Sequence, residues 1–345
     1  AVVAVLSFDI TKPWLGRFGA WVVGLACFAV PLLTFHVPMP TWYTTILTVV
    51  AAWVAVRNGT FPSSTARAGV VGLILGVAFM VKVTAVYAAI GFGVWYLLRA
   101  GLRWGSTLSL LAVAPAVVVL LSQPTLRTFT YFVLPIFAAV AVAYASMAKR
   151  GAQQAHSAEV GSFAGGFLAL PALVLVRAAF EGDAATVIQR WLVDPVAIRS
   201  EVVTRDAPAL VFTFLGLLLI GLWAFSVRRV NLNWHSLGLL MGALLGIIVG
   251  YSSLAYVVLV ITIGSVAVGS AMVVYRNETK LEESAVLMVL LISFTALVGY
   301  PFYTIVYSLY VAPIAFIALG AIARLSPTPG KSASVAIIPL LVAVV

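Results

Sequence analysis

The sequence predicts an all-α fold, a polytopic bundle of transmembrane helices, on three observations. Of 345 residues, 63% are hydrophobic and 9% charged, against about half and about a quarter in an ordinary soluble domain. The apolar runs are commonly 15 to 23 residues long and recur along nearly the whole chain, as crossing roughly 30 Å of hydrocarbon requires. They are continuous rather than alternating, which selects helices over a closed barrel, the other architecture that satisfies every backbone group in lipid. The expectation is one transmembrane domain over residues 1–345, with about twelve whole spans and a partial span at each end.

Taken in order, Ala1 to Ser7 reads as the tail of a helix, and a span follows at about 20–36. A proline-containing junction, HVPMPTWY, separates it from the next at about 42–56. Residues 68–98 divide into two short spans, 68–81 and 83–98, with Lys82 at the tip between them. The basic connector LLRAGLRW then leads to spans at about 106–122 and 129–147. Residues 150–160 read as a plain connector before a span at 162–179. Further spans are expected at 208–226, 235–249, 252–275, 285–300 and 303–323, with a connector at 326–334 and a partial span from 335. Gly69, Gly72 and Gly76 are spaced for close packing against a neighbouring helix.

Orientation follows from the basic residues, which short cytoplasmic loops carry in excess. With these boundaries, Lys12, Arg17, Arg57, Arg67, Arg99, Arg103, Lys149, Arg150, Arg228, Arg229, Arg276, Lys280, Arg324 and Lys331 share one side. Lys82, Arg127, Arg177, Arg190, Arg199 and Arg205 share the other, and fourteen against six assigns the first set to the cytoplasm. The net charge of +10 is therefore topological; the basic residues form no dense stripe that would suit nucleic acid. Cys27, the one cysteine, excludes an internal disulfide framework and a cysteine-rich metal site. Asn58 and Asn277 open glycosylation-type triplets on the cytoplasmic side and are read as chance matches.

Residues 180–207 form the one substantial loop, on the extracytoplasmic side, with half of the ten acidic residues: Glu181, Asp183, Asp194, Glu201 and Asp206. Val187, Trp191 and Leu192 fall on one helical face, as in a helix lying along a membrane surface. Its carboxylates are the candidates for acid or base work near an acceptor; Asp194, before Pro195, also suits a simple turn. Lys82 has two readings: an ammonium paired with a lipid-borne phosphate, or a side chain snorkelling to the headgroups. Arg127 reads as an anionic-lipid contact or an interfacial anchor, and His36 as a structural residue ending its span. Tyr300, Phe302, Tyr303, Tyr307 and Tyr310 surround Pro301 as interfacial aromatics or as a lining for sugar or lipid. No Gly-rich phosphate loop, paired metal-ligand motif or Ser/His/Asp order stands out.

The stretch RAGVVGLILGVAFMVKVTAVYAAIGFGVWYLLR, residues 67–99, resembles a recurring segment of GT-C-fold glycosyltransferases, in which a Gly-rich short helix ends in Lys and a second short helix follows. The family includes protein mannosyltransferases and aminoarabinose transferases. GGFLALPALVLVRAAFEGDAATVIQRWLVDP resembles the span and outer loop of bacterial members, and YPFYTIVYSLYVAPIAFIALGAIAR their late helix. The resemblance implies transfer of a sugar from a polyprenyl-phosphate donor to a lipid, glycan or protein acceptor at the outer face. Lys82 and Arg127 would hold the donor phosphate, and Asp183, Arg190, Asp194 and Arg199 would lie on the acceptor side. Some relatives use a divalent metal; no site for one, and no other cofactor, is evident. The family's catalytic acid lies in the first outer loop, which here is expected before residue 1, and the junctions MPTWYTT and YPFYT lack the acid or base that bacterial relatives often carry. Two other classes compete: a transporter or lipid flippase, which shares this span count, and a glycan polymerase or ligase, which has a large outer loop but a different fold. A transporter or lipid flippase would show paired internal repeats, and the 67–99 pattern has no second copy; a glycan polymerase or ligase would carry more than the five outer arginines found here.

Overall fold

A computed structural model of the chain describes residues 1–34, 39–57, 63–101, 113–114, 117–118, 132–147, 157–193, 282–299 and 305–324. Among the described residues every regular element is helical. They are α1 (Val2–Thr34), α2 (Pro40–Val56), α3 (Ser64–Val81), a 3-10 turn (Val83–Ala85), α4 (Val86–Ala100), α5 (Leu134–Met147) and α6 (Ser157–Glu181). Then come α7 (Ala184–Ile188), a π turn (Gln189–Val193), α8 (Glu283–Thr295) with a 3-10 extension (Ala296–Gly299), and α9 (Ile305–Ala323). Ser64–Val81, Val83–Ala100 and Ser157–Glu181 are each long and apolar enough to cross a membrane. The spans expected at 208–226, 235–249 and 252–275, most of 106–122, and the partial span from 335 lie outside the described residues.

The opening of the chain differs from the expected short helical tail. Helix α1 begins at Val2 and reverses at Gly16, whose φ of 70° lies in the left-handed region that a side chain would strain. Its two halves pack back to back: a Cβ on Gly24 would meet the Ala4 carbonyl at 3.0 Å, and the Phe8 and Trp21 rings lie 5.1 Å apart. The polar residues of DITKP, which precede the expected span at 20–36, are absorbed by partners. Thr11 Oγ1 donates to the Ser7 carbonyl at 2.7 Å, and Asp9 accepts from Trp53 Nε1 at 2.7 Å.

Lys82 ends α3 with extended backbone angles (φ −156°, ψ 126°), and α4 returns toward the start of α3. Phe163 fixes the register: its backbone faces Gly72 on α3, and its ring lies 6.4 Å from Phe92 and 5.1 Å from Tyr96 on α4. Residues 68–98 are thus two antiparallel helices, not one rod.

Helices α3 and α6 run in the same direction and meet at a glycine seam. A Cβ on Gly69 would come 2.8 Å from Ser162 Oγ, one on Gly76 2.6 Å from the Phe167 carbonyl, and one on Gly72 would collide with the Phe163 carbonyl. Gly166 reciprocates against the backbone of Gly69. The Gly69/Gly72/Gly76 spacing therefore serves the close approach of two backbones. At the centre stands α8, buried on every face from Ala285 to Thr295 and packed against α4, α5 and α9, which is why its sequence shows no polar stripe. Gly91 of α4 lies close against Leu290 and Leu291, and Gly320 of α9 against Thr11 and Leu15.

Gly72→Ala should lower stability by about 1–3 kcal/mol, the usual cost of overpacking. Gly161→Ala, in the same seam helix but with nothing within 4 Å of its Cβ, should be neutral or slightly stabilising. Thermal midpoints in detergent, followed by size-exclusion fluorescence, check both.

Candidate functional site at the Lys82 reversal

Helix α2 starts with Pro40, whose fixed φ suits the first helical position, after Met39 in extended conformation. Thr41, Thr44, Thr45 and Thr48 then follow at the spacing of one helical face, and all four are buried. Each of the last three turns its hydroxyl back to its own helix. Thr44 donates to the Thr41 carbonyl at 2.8 Å, Thr45 to the same carbonyl at 3.0 Å, and Thr48 to the Thr44 carbonyl at 2.8 Å. Thr295, near the end of α8, does the same to Leu291 at 2.6 Å.

Thr41 differs in that its hydroxyl oxygen accepts. Lys82 Nζ reaches across from the end of α3 and donates to Thr41 Oγ1 at 2.6 Å, a short charge-assisted hydrogen bond that ties the reversal to the first turn of α2. Two residues on, Thr84 Oγ1 is buried without a hydrogen-bond partner. A cavity of about 20 Å³ opens among Thr41, Thr44, Thr84, Ala88, Thr295 and Val311, where α2, α4, α8 and α9 converge. That volume holds about one oxygen-sized atom.

The 180s come to this same end. Phe79, one turn before Lys82, packs edge-on against Phe167 at 5.8 Å and against Trp191 at 5.4 Å. The expected surface helix is here a five-residue α7 followed by a π turn; Val187 is half-buried and Trp191 anchors the segment. Asp183 stands at the N-cap of α7 without a side-chain cap bond, and Asp183 and Arg190 are both exposed. The structure places Lys82, Asp183 and Arg190 at one end of the bundle. Arg127, Asp194, Arg199 and His36 lie outside the described residues, as do Asn58, Asn277, Tyr300, Phe302 and Tyr303, while Tyr307 and Tyr310 fall within α9.

The opposite end carries a network that the sequence reading passed over. Arg99 Nη1 lies 3.1 Å from Glu159, which is 1% exposed in the first turn of α6, and Arg99 Nε lies 3.1 Å from Glu283 at the start of α8. The second contact is electrostatic rather than a directed hydrogen bond. Trp95 donates to the Glu283 carbonyl at 2.9 Å with its ring beneath the Arg99 guanidinium. Arg324 pairs with Glu282, Arg57 with Asp9 at 3.4 Å, and Arg67 donates to the Arg57 carbonyl at 2.9 Å. Residues 157–160, expected as connector, are therefore the first turn of α6: Glu159 is carried into the bundle because Arg99 needs a counter-charge there. Among the described residues no three His, Cys, Asp or Glu side chains converge as a metal site would need.

No protein-family model, curated protein or solved structure matches this chain.

Glu159→Gln should destabilise by about 3 kcal/mol, because it leaves a largely buried guanidinium short of a charge. Glu283→Gln should cost less, since that carboxylate is 33% exposed. Guanidinium titration of the detergent-solubilised protein distinguishes the two.

Proposed function

We propose that this chain is a multi-pass cell-membrane glycosyltransferase with about twelve spans. It would transfer a sugar from a polyprenyl-phosphate donor to a lipid, glycan or protein acceptor at the extracytoplasmic face. Its partners are the lipid-linked sugar and the surrounding membrane lipids. The observation that carries the proposal is the Lys82 reversal. An ammonium stands at the end of an α3–α4 hairpin, between the start of α2 and the segment bearing Asp183 and Arg190, as a donor-phosphate contact beside an acceptor loop requires.

The end-to-end sorting of charge supports the orientation. Arg57, Arg67, Arg99 and Arg324 share the end opposite Lys82, and an excess of basic residues marks the cytoplasmic side. A lysine at membrane depth costs roughly 2.5–3.5 kcal/mol on insertion scales, so its retention calls for an anionic partner or a nearby interface. Residues 67–99, which resemble the family segment, are the ones that build this hairpin. In this reading Arg127 adds a second positive charge toward the phosphate, with Asp194 and Arg199 continuing the acceptor loop.

Lys82→Ala in the full-length protein should weaken binding of a polyprenyl-phosphate sugar at least tenfold, while Lys82→Arg retains part of the affinity. Titration of the donor into nanodisc-embedded protein measures it, and equal affinity in wild type and Lys82→Ala would remove the proposal.

A further inference from the structure

The lining of the cavity beside Lys82 is selective in its hydrogen bonding. The hydroxyl hydrogens of Thr44, Thr45, Thr48 and Thr295 are spent on carbonyls of their own helices. Two hydroxyls on the same cavity are not committed in that way. Thr84 Oγ1 is buried with no partner, and Thr41 Oγ1 accepts from Lys82, while its own hydrogen is donated to no partner among the described residues. A hydroxyl polarised by an ammonium is a stronger donor than a free one. The rest of the wall is apolar, formed by Ala85, Ala88, Val298 and Val311 among others.

We infer that Thr41, Thr84 and Lys82 form one donor set for an acceptor oxygen, and that the cavity seats an oxygen of the phosphate group that Lys82 attracts. The inference rests on the reading of Lys82 under Proposed function and deepens it by naming two further phosphate-binding residues. Its chemistry is that of a phosphate oxygen. Two hydroxyls, Thr41 and Thr84, line a space of about 20 Å³, and the Lys82 ammonium is bonded to the first of them; there is room for one oxygen but not for a whole headgroup. A buried hydroxyl without a partner costs free energy until an acceptor arrives, and an anionic oxygen among apolar walls is held more strongly than in water. The remainder of the phosphate would stay outside the cavity, beside the ammonium.

The test uses full-length protein in nanodiscs and three probes: a polyprenyl monophosphate, the neutral polyprenol of the same length, and inorganic phosphate. Thr84→Val and Thr41→Val, which keep shape and remove a hydroxyl, should each weaken polyprenyl monophosphate binding about tenfold. They should leave polyprenol binding unchanged, and Thr84→Ser and Thr41→Ser should restore wild-type affinity. Thermal midpoints equal to wild type verify that the valine variants fold, and the serine pair tests the hydroxyls directly should a valine variant fail to fold. Competition by inorganic phosphate would identify a site open to the free anion, and lack of competition one reserved for the lipid headgroup; each upholds the inference. Undiminished phosphate binding in both valine variants, with loss in Lys82→Ala, overturns the donor set while leaving the Lys82 reading intact. Equal weakening of polyprenol and phosphate binding would make the cavity an apolar seat and also overturns it. Unchanged binding in Lys82→Ala removes both readings.

Discussion

A lysine ammonium set among packed helices must find an acceptor, and at residue 82 that acceptor is the hydroxyl oxygen of Thr41, 2.6 Å away. The geometry around it follows from that bond and from the extended backbone that makes it possible. Because Lys82 leaves helical φ/ψ, α3 stops, a single 3-10 turn intervenes, and α4 heads back along α3. Because its ammonium reaches the first turn of α2, the start of that helix is held against the reversal. Thr84, carried two residues further along the same turn, is thereby brought to the cavity that α2, α4, α8 and α9 enclose. The Lys82 end is in this sense a polar knot tied in an apolar bundle.

The other end is organised by the complementary arrangement. Arg99 closes α4 and draws Glu159 from α6 and Glu283 from α8, with the Trp95 ring under its guanidinium. Between the two ends the contacts are those of small residues and shape. Glycines on α3 and α6 bring backbones together, and α8 fills the centre with side chains buried on all faces. Where apolar surface is plentiful both inside and outside a bundle, such close backbone approach and a few polar contacts decide which helices pair.

The helical fold class was legible in composition and in the length of the apolar runs. The division of 68–98 was legible because only two spans keep Arg99 and Arg103 on the side rich in basic residues, and the role of Gly69, Gly72 and Gly76 because their spacing matches a helix face. The hairpin within α1 was not: Gly16 sits in a stretch too polar to read as a span, and its polar residues become helical only through partners far along the chain, such as Trp53 for Asp9. Glu159 was missed for the same reason, since a lone carboxylate in a polar connector shows no sign of the arginine sixty residues away that buries it. The threonine face of α2 did carry a signal, in the spacing of positions 41, 44, 45 and 48, but uncharged hydroxyls that can bond their own helix do not mark a site by themselves. Threonines that return their hydroxyls to the backbone look alike in sequence to ones that leave a donor free, and only the Lys82 bond at Thr41 and the lack of a partner at Thr84 separate them.

All of this depends on the chain turning back at Lys82, which a distance between the far ends of α3 and α4 reports most directly. Spin labels at Ala66 and Gly101, in a Cys27→Ala background, should lie about 20 Å apart by double electron–electron resonance, since neighbouring helices pack at 8–10 Å and the label arms add the rest. A separation of about 50 Å, the length of a continuous helix over those residues at 1.5 Å per residue, would contradict the account.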